Sequence, residues 1–259
     1  YKASIVFNND GDEHWESIMK NKVALIIGAG DAIGSAIARK FSQRGLTVCV
    51  TRRNEAKLKP LLEEISAIGG EAFGFACDAR KEDATEALFK NIEDNIGEID
   101  VVVFNVGANV PMGILETDSR KFFKIWEMAC FAGFLNGREA ARYMAKRKRG
   151  TILFTGATAS VRGSAGFAAF ASAKHGLRAL AQSMARELGP ENIHVAHVVI
   201  DAAVDTQWIK DNVPSYEQRK AVDGIVKPDD LATNYVTLYD QPRNAWTFEL
   251  DIRPWDEKW

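Results

Sequence analysis

The stretch Val23-Ala-Leu-Ile-Ile-Gly-Ala-Gly-Asp-Ala-Ile-Gly34 decides the fold, because it joins an apolar run to a glycine-rich loop and then to a helical pattern. The apolar run is continuous rather than alternating, as expected of a strand buried on both faces. Gly28 permits a tight turn, Gly34 lets the helix approach the strand, and the helix N-terminus offers free amides to a pyrophosphate. The residues predicted to contact a nucleotide here are Gly28, Gly30, Asp31, Ile33 and Gly34.

The same alternation continues along the chain. Continuous apolar runs recur at residues 47–50, 71–76, 101–104, 151–154 and 195–200. Helical patterns lie between them, over residues 36–43, 55–68 and 171–188. Repeated strand–helix–strand units of this length predict an α/β protein with one Rossmann-type, doubly wound parallel sheet and helices on both faces. We assign this single domain to residues 19–259 and treat residues 1–18 as an N-terminal extension or residues added for expression.

The composition excludes several classes of function. The chain has 259 residues, of which 46% are hydrophobic and 26% charged, and its formal net charge is -2. This balance gives no global field that would recruit nucleic acid or an anionic membrane. No apolar run approaches the roughly 20 residues that a membrane span needs, and no secretory signal pattern is present. We therefore expect a cytoplasmic protein whose partner is a small molecule.

Cysteines and histidines give no metal site. Cys49, Cys77 and Cys130 stand singly in apolar segments, so they are read as reduced, buried thiols of a cytosolic protein. His194 and His197 are three residues apart on a predicted strand, where that offset points side chains to opposite faces. The basic run 146–149 ends a predicted helix, where solvated cations would complement the helix dipole.

The segments Gly150-Thr-Ile-Leu-Phe-Thr-Gly-Ala-Thr-Ala159 and Phe170-Ala-Ser-Ala-Lys174 resemble the catalytic stretch of the short-chain dehydrogenases/reductases. Two further matches are Cys77-Asp-Ala79 and Phe104-Asn-Val-Gly107. The resemblance runs from about residue 20 to the C-terminus. It implies a Rossmann fold, a nicotinamide cofactor and hydride-transfer chemistry.

The resemblance also implies a catalytic set that this chain lacks. The family pattern is Tyr-x-x-x-Lys preceded by a Ser, with an Asn one helix upstream. Here Phe170, Ala157 and Ala129 stand at the Tyr, Ser and Asn positions, and Lys174 alone is kept. A phenyl ring cannot exchange a proton with the substrate oxygen as a phenol does. The chain is therefore an atypical member of the family it resembles.

The expected cofactor is NADP(H) rather than NAD(H). Arg52 and Arg53 follow the second predicted strand, where a basic residue accommodates a 2′-phosphate and an acidic one bonds a ribose hydroxyl. Asp31 argues weakly the other way. The resemblance further implies contacts from Asp78 and Ala79 to adenine, from Asn105, Val106 and Gly107 to the nucleotide, from Lys174 to the ribose, and from Thr206 to the carboxamide.

The substrate side is less defined. The segment 201–206 lacks the family's Pro-Gly, and residues 207–226 are expected to form a lid. Met112, Trp208 and Ile209, with Phe170 and Ala157, predict an apolar pocket and a hydrophobic carbonyl or activated alkene substrate. The alternative is a pseudoenzyme that binds NADP(H) for a regulatory or structural role.

Two expectations concern surfaces. The resemblance implies a homodimer or homotetramer assembled through residues 119–147 and 171–188. The tryptophan-rich end, residues 246–259, is expected to replace the family's usual last strand.

Overall fold

A computed structural model describes residues 21–107 and 109–258 as a seven-stranded parallel sheet, in the order β3-β2-β1-β4-β5-β6-β7, with helices on both faces. The doubly wound α/β prediction is confirmed; the N-terminal extension, residues 1–18, lies outside the described residues. The strands are β1 Asn21–Ile27, β2 Thr47–Arg52, β3 Ala72–Ala76, β4 Gly97–Phe104, β5 Gly150–Thr155, β6 Ile193–Ile200 and β7 Glu249–Ile252. The helices are α1 Ile33–Gln43, α2 Lys59–Ala67, α3 Glu82–Asn95, α4 Ser119–Trp126, α5 Ala132–Arg147, α6 Ala168–Leu188, α7 Gln207–Asn212, α8 Tyr216–Ala221 and α9 Pro228–Tyr239.

Two hydrophobic cores lie on the two faces of the sheet, because successive strand residues point to opposite sides. Ala24 and Ile26 of β1 belong to the core under α1, α2 and α9. Val23, Leu25 and Ile27 belong to the core under α3, α5 and α6. Burial on both faces explains why the strands read as continuous apolar runs.

The C-terminal strand corrects one prediction. Residues 249–252 form β7, which pairs in parallel with β6 from His197–Glu249 to Ile200–Ile252, so the family's last strand is present. The segment was missed because its sequence, Glu-Leu-Asp-Ile, alternates charged and apolar residues at the sheet edge and lacks a continuous apolar run. Trp246, just before β7, stacks on His194 with ring centroids 4.9 Å apart.

The basic run 146–149 agrees with its prediction except at Arg147. It does end α5, and Lys148 closes the helix in the left-handed conformation at φ 54°. Arg147, however, is only 17% exposed and bonds Glu93 and the Ile99 carbonyl, while Arg149 pairs with Asp100. Arg147 and Arg149 thus tie α5 to α3 and β4, while Lys146, Lys148 and Arg149 remain exposed to solvent.

Helix boundaries shift in three places, the first being α1, which begins at Ile33, three residues before its predicted start. The predicted helix 55–68 divides into a short 3₁₀ turn, Glu55–Leu58, followed by α2, which has a proline in its first turn. Helix α6 begins at Ala168, three residues before its predicted start. Along the chain from 21 to 107 and 109 to 258, no helix is long and apolar enough to cross a membrane.

Candidate functional site

The carboxyl ends of the parallel strands meet at one edge of the sheet, where open α/β sheets place their ligands. Two adjoining cavities of about 340 and 450 Å³ lie along this edge. They share Gly28, Gly30 and the loop after β4, which makes them one continuous cleft. The first cavity is lined at the ends of β2 and β3 by Arg52, Arg53, Asp78, Ala79 and Arg80. The second is lined by Ile33 at the start of α1 and, beyond β5 and β6, by Ala157, Phe170, Lys174 and Thr206.

The glycine loop is shaped by close backbone approach. Gly28 has φ +88°, and a Cβ there would lie 2.8 Å from the Asn105 carbonyl oxygen. Asn105 Nδ2 in turn donates to the Gly28 carbonyl at 3.1 Å. A Cβ on Gly34 would lie 2.5 Å from that same carbonyl oxygen, so the start of α1 can sit this close to the loop only without a side chain.

Gly30 differs from its neighbours, because a Cβ on it would meet no atom within 4 Å. It faces the open space of both cavities, beside the N-terminus of α1. That helix has no side-chain cap, and although the Ser35 amide donates to the Gly30 carbonyl, the amides of Ile33 and Gly34 are available to an anion. The loop therefore has the room and the hydrogen-bond donors that a dinucleotide pyrophosphate requires.

The two arginines after β2 behave differently. Arg52 Nη1 donates to Asp31 Oδ1 at 2.6 Å, so the acidic residue that argued against a 2′-phosphate is paired with one of the residues that argued for it. Arg53 lines the first cavity, is exposed, and forms no hydrogen bond or ion pair within residues 21–107 and 109–258. Its charge contributes to lowering the pKa of Asp78.

Asp78 is held by a partner that sequence reasoning missed. Arg80 Nη2 donates to Asp78 Oδ2 at 2.6 Å, and Arg80 also reaches Glu127 at 3.4 Å. Hydrogen bonds from Arg80 are the main reason that the pKa of Asp78 is lowered. Asp78 and Ala79 line the first cavity, with Arg80 as an additional cation beside them.

Lys174 lies at the bottom of the second cavity. It is 3% exposed, and Nζ donates to the Thr155 carbonyl at 2.8 Å and to the Val106 carbonyl at 3.2 Å. Burial lowers the pKa of Lys174 to about 8. The Phe170 ring centroid lies 5.9 Å from Nζ, as expected for residues one helical turn apart.

The three positions without polar groups lie together. Phe170 and Ala157 line the second cavity, and both pack with Ala129, which is fully buried in a π-helical turn between α4 and α5. No proton donor replaces them at these three positions. Of the residues predicted to form an apolar pocket, Met112 packs against this cluster, whereas Trp208 is 56% exposed on α7.

A third cavity of about 220 Å³ continues from Phe170 and Ala157, away from Lys174. It has a polar end that was not predicted, formed by Thr158, Arg162 and Ser164. Behind it, Asp201 at the carboxyl end of β6 is 3% exposed, and Thr158 Oγ1 donates to Asp201 Oδ1 at 2.5 Å. Reading back from Thr206, Asp201 stands where the family's Pro-Gly would begin, a signal that sequence analysis registered only as a missing motif.

Comparisons with known proteins agree with this architecture. The short chain dehydrogenase family model matches residues 22–216. A short-chain dehydrogenase from Rhodopseudomonas palustris is 51% identical, with a TM-score of 0.78 over 91% of this chain and 100% of its own. A metagenomic short-chain oxidoreductase in complex with NADP is 29% identical, with a TM-score of 0.77 over 91% and 98%. A 7α-hydroxysteroid dehydrogenase complexed with NADH and a bile acid is 27% identical, with a TM-score of 0.82 over 91% and 94%. The chain belongs to the short-chain dehydrogenase/reductase family.

Proposed function

We propose that this protein binds NADP(H) and is an oxidoreductase that acts by hydride transfer on a hydrophobic carbonyl or activated alkene. The observation that carries this proposal is one continuous cleft with a glycine cradle, a buried lysine and an adjoining apolar cavity. When bound, the nicotinamide supplies or accepts the hydride, so the protein needs mainly to position it against the substrate.

Each predicted cofactor residue has a place in this proposal. Gly28, Gly30, Ile33 and Gly34 would hold the pyrophosphate at the start of α1, Asp31 would border the nucleotide through its ion pair with Arg52, and Asp78 and Ala79 would border the adenine. Asn105, Val106 and Gly107 line both cavities and would contact the sugars. Lys174 would bond the nicotinamide ribose, and Thr206, which caps α7 through a 3.1 Å hydrogen bond from the Ile209 amide, would bond the carboxamide.

Preference for NADP over NAD rests on Arg53 and Arg52. Arg53 faces the first cavity with its guanidinium available, and Arg52 is kept beside it by Asp31. Relatives in the family are found with either NADP or NADH, so family membership alone does not decide the cofactor. The proposed preference for NADP therefore depends on Arg52 and Arg53.

A second candidate function follows from Phe170, Ala157 and Ala129. With no phenol, hydroxyl or amide at these positions, the cleft lacks the group that protonates a carbonyl oxygen in the family. The alternative is a pseudoenzyme whose NADP(H) binding serves a regulatory or structural role. We favour the oxidoreductase because an accessible third cavity adjoins the place where the hydride would be transferred.

Two measurements separate these functions. Fluorescence titration with NADPH tests binding, and NADPH consumption over a panel of ketones, aldehydes, conjugated enones and unsaturated thioesters tests turnover. Binding with turnover of any panel member supports the oxidoreductase. Binding without turnover favours the pseudoenzyme, and absence of binding contradicts both.

We further propose that residues 19–259 fold as a single domain in a cytoplasmic protein. We also propose that this domain assembles into a homodimer or homotetramer through α4, α5 and α6. Aromatic rings along residues 119–147 support the assembly: exposed Phe123 stacks on partly buried Trp126, and exposed Phe134 adjoins partly buried Phe131. Light scattering at micromolar protein should give at least twice the 28.6 kDa chain mass, and a monomer mass would contradict the assembly.

A further inference from the structure

The third cavity joins an apolar wall to a polar end. Phe167, Phe170 and Ala159 supply apolar surface, whereas Thr158 and Arg162 face the same space. Thr158 and Arg162 come from one short turn that begins at Thr158, because the Arg162 amide donates to the Thr158 carbonyl at 3.1 Å, and Ser164, the third polar residue at this end, follows that turn. The two side chains therefore lie side by side at one end of the cavity.

The buried carboxylate of Asp201 fixes which hydrogen bonds Thr158 can still make. A carboxylate only accepts, so the 2.5 Å contact requires that the Thr158 hydroxyl donates its single proton to Asp201. The remaining lone pairs of Thr158 Oγ1 are acceptors. Thr158 can therefore receive a hydrogen bond from a molecule in the cavity but has no proton to give.

Arg162 has the opposite character. Its Nη2 donates to Asp201 Oδ1 at 3.3 Å and lies 4.0 Å from Glu257 Oε1. The side chain is 39% exposed, and a guanidinium carries five N–H donors, so others remain for a ligand. The end of the cavity thus presents an acceptor and a donor next to each other.

Asp201 is anchored from several sides, which keeps this pair in a fixed geometry. Its amide donates to the Ile252 carbonyl of β7 at 2.9 Å. Arg253, which follows β7, places Nη1 3.7 Å from Asp201 Oδ2. The guanidinium groups of Arg253 and Arg162 compensate the buried charge, as burial of a carboxylate requires.

We propose that this polar end recognises a hydroxyl group of the substrate, remote from the reacting carbon. The hydroxyl donates to Thr158 Oγ1 and accepts from Arg162, while the carbonyl or alkene lies where the second and third cavities meet, at Phe170 and Ala157. The proposal rests on the proposed oxidoreductase function and narrows its substrate to a hydroxylated hydrophobic carbonyl or enone.

The test uses matched cyclic enones that carry a ring hydroxyl at successive positions or a hydrogen in its place. Turnover and equilibrium binding to the NADPH complex are both measured. The wild type should prefer one hydroxylated isomer about 10- to 100-fold over its hydrogen analogue, on the scale of hydrogen bonds that involve a charged partner.

Variants at Thr158 decide whether the preference arises at the proposed site. Thr158→Val is nearly isosteric and removes the acceptor, so the ratio between the hydroxylated compound and its hydrogen analogue should fall to about one, in binding as well as in turnover. Thr158→Ser keeps the hydroxyl and should retain it. Arg162→Met should weaken binding of the hydroxylated compound more than binding of its hydrogen analogue.

The outcomes separate this proposal from the oxidoreductase function. A preference in binding that depends on Thr158, without turnover, would support hydroxyl recognition and contradict the proposed reaction. Equal treatment of every matched pair by the wild type would overturn hydroxyl recognition, whether or not turnover occurs. So would a Thr158→Val variant that loses thermal stability and affects both compounds equally, because that result assigns the Thr158–Asp201 pair a structural role only.

Discussion

The nucleotide end of the cleft is formed mainly by backbone atoms, whereas the substrate end is formed mainly by side chains. At the nucleotide end, the contacts come from backbone geometry: a tight turn at Gly28, a close approach at Gly34 and open space at Gly30. At the substrate end, side chains determine the chemistry, and Phe170 and Ala157 stand at the positions where the resemblance to the family implies a phenol and a hydroxyl. Nucleotide binding through the backbone requires small residues at a few positions and tolerates substitutions at their neighbours. Substrate chemistry that depends on side chains can change with a single substitution.

The largest expected effect comes from restoring the side-chain chemistry. The double variant Phe170→Tyr/Ala157→Ser should raise NADPH-dependent reduction of simple ketones by about 10²–10⁴-fold, the usual contribution of general acid catalysis. Ala129 leaves the proton relay incomplete, so the gain should fall in the lower part of that range. Steady-state NADPH consumption measures it.

Phe167→Tyr is the matched control for this gain. Phe167 also lines the third cavity but precedes α6, and it is not one helical turn from Lys174. It should leave ketone reduction unchanged. Robust wild-type ketone reduction that is insensitive to changes at Phe170 would mean that another residue supplies the proton.

The next prediction concerns the side chains of Arg52 and Arg53 at the nucleotide end. NADPH should bind more tightly than NADH by about tenfold or more, because phosphate–arginine contacts contribute roughly 1.5–3 kcal/mol. Arg52→Ala/Arg53→Ala should remove this preference, with Arg53 responsible for most of it because Arg52 already pairs with Asp31.

Arg44→Ala serves as the control for the loss of a cation, since Arg44 pairs with Asp240 and lines a different cavity. Fluorescence titration with both nucleotides provides the affinities. Equal affinities in the wild type, or a ratio that survives the double substitution, would remove the arginines from cofactor choice.

A pair of glycine variants tests whether the nucleotide end depends on backbone approach. Gly34→Ala places a methyl group 2.5 Å from the Gly28 oxygen and should destabilise the fold by about 1–3 kcal/mol, the range for overpacking. Gly30→Ala meets no atom within 4 Å and should change the free energy of unfolding by less than about 0.5 kcal/mol while weakening NADPH binding.

Denaturant unfolding with and without NADPH distinguishes the two glycines. Both variants should bind the nucleotide more weakly, but only Gly34→Ala should lose stability without ligand. Equal stability of the two variants would mean that the loop relaxes around the added methyl group and that the close approach is not required.

Sequence reasoning succeeded where pattern and backbone determine structure. Six strands follow from continuous apolar runs, and the glycine loop lies between β1 and α1 as its flanking patterns indicate. It failed where a contact joins residues far apart in the chain. Asp201 and Thr158 are 43 positions apart, so neither the buried carboxylate nor its partner is visible in a motif, and β7 was missed because an edge strand needs no continuous apolar run.

Lys174 lines the second cavity, between the glycine loop and Phe170. The smallest of the predicted effects is the contribution of its burial to the pH dependence of the free energy of unfolding. Its pKa falls from 10.5 in the unfolded chain to about 8 in the folded protein, because burial disfavours the ammonium. Between these values the unfolded chain binds more protons, so the free energy of unfolding must rise with pH. From pH 7.5 to 9.5 the gain should be about 1–2 kcal/mol, at 1.36 kcal/mol per pKa unit.

Denaturant unfolding of the wild type and Lys174→Met at the two pH values isolates this contribution, since other titrating groups are common to both proteins. The difference in unfolding free energy between them should shift toward the wild type at pH 9.5. The buried thiol of Cys130, close to Lys174, favours the ammonium only weakly against the cost of burial, so it should not reverse the sign. Parallel pH dependences of the two proteins would show that the Lys174 ammonium stays hydrated in the folded protein. The cleft would then be open to water at Lys174, and burial of this side chain would not contribute to the pH dependence of stability.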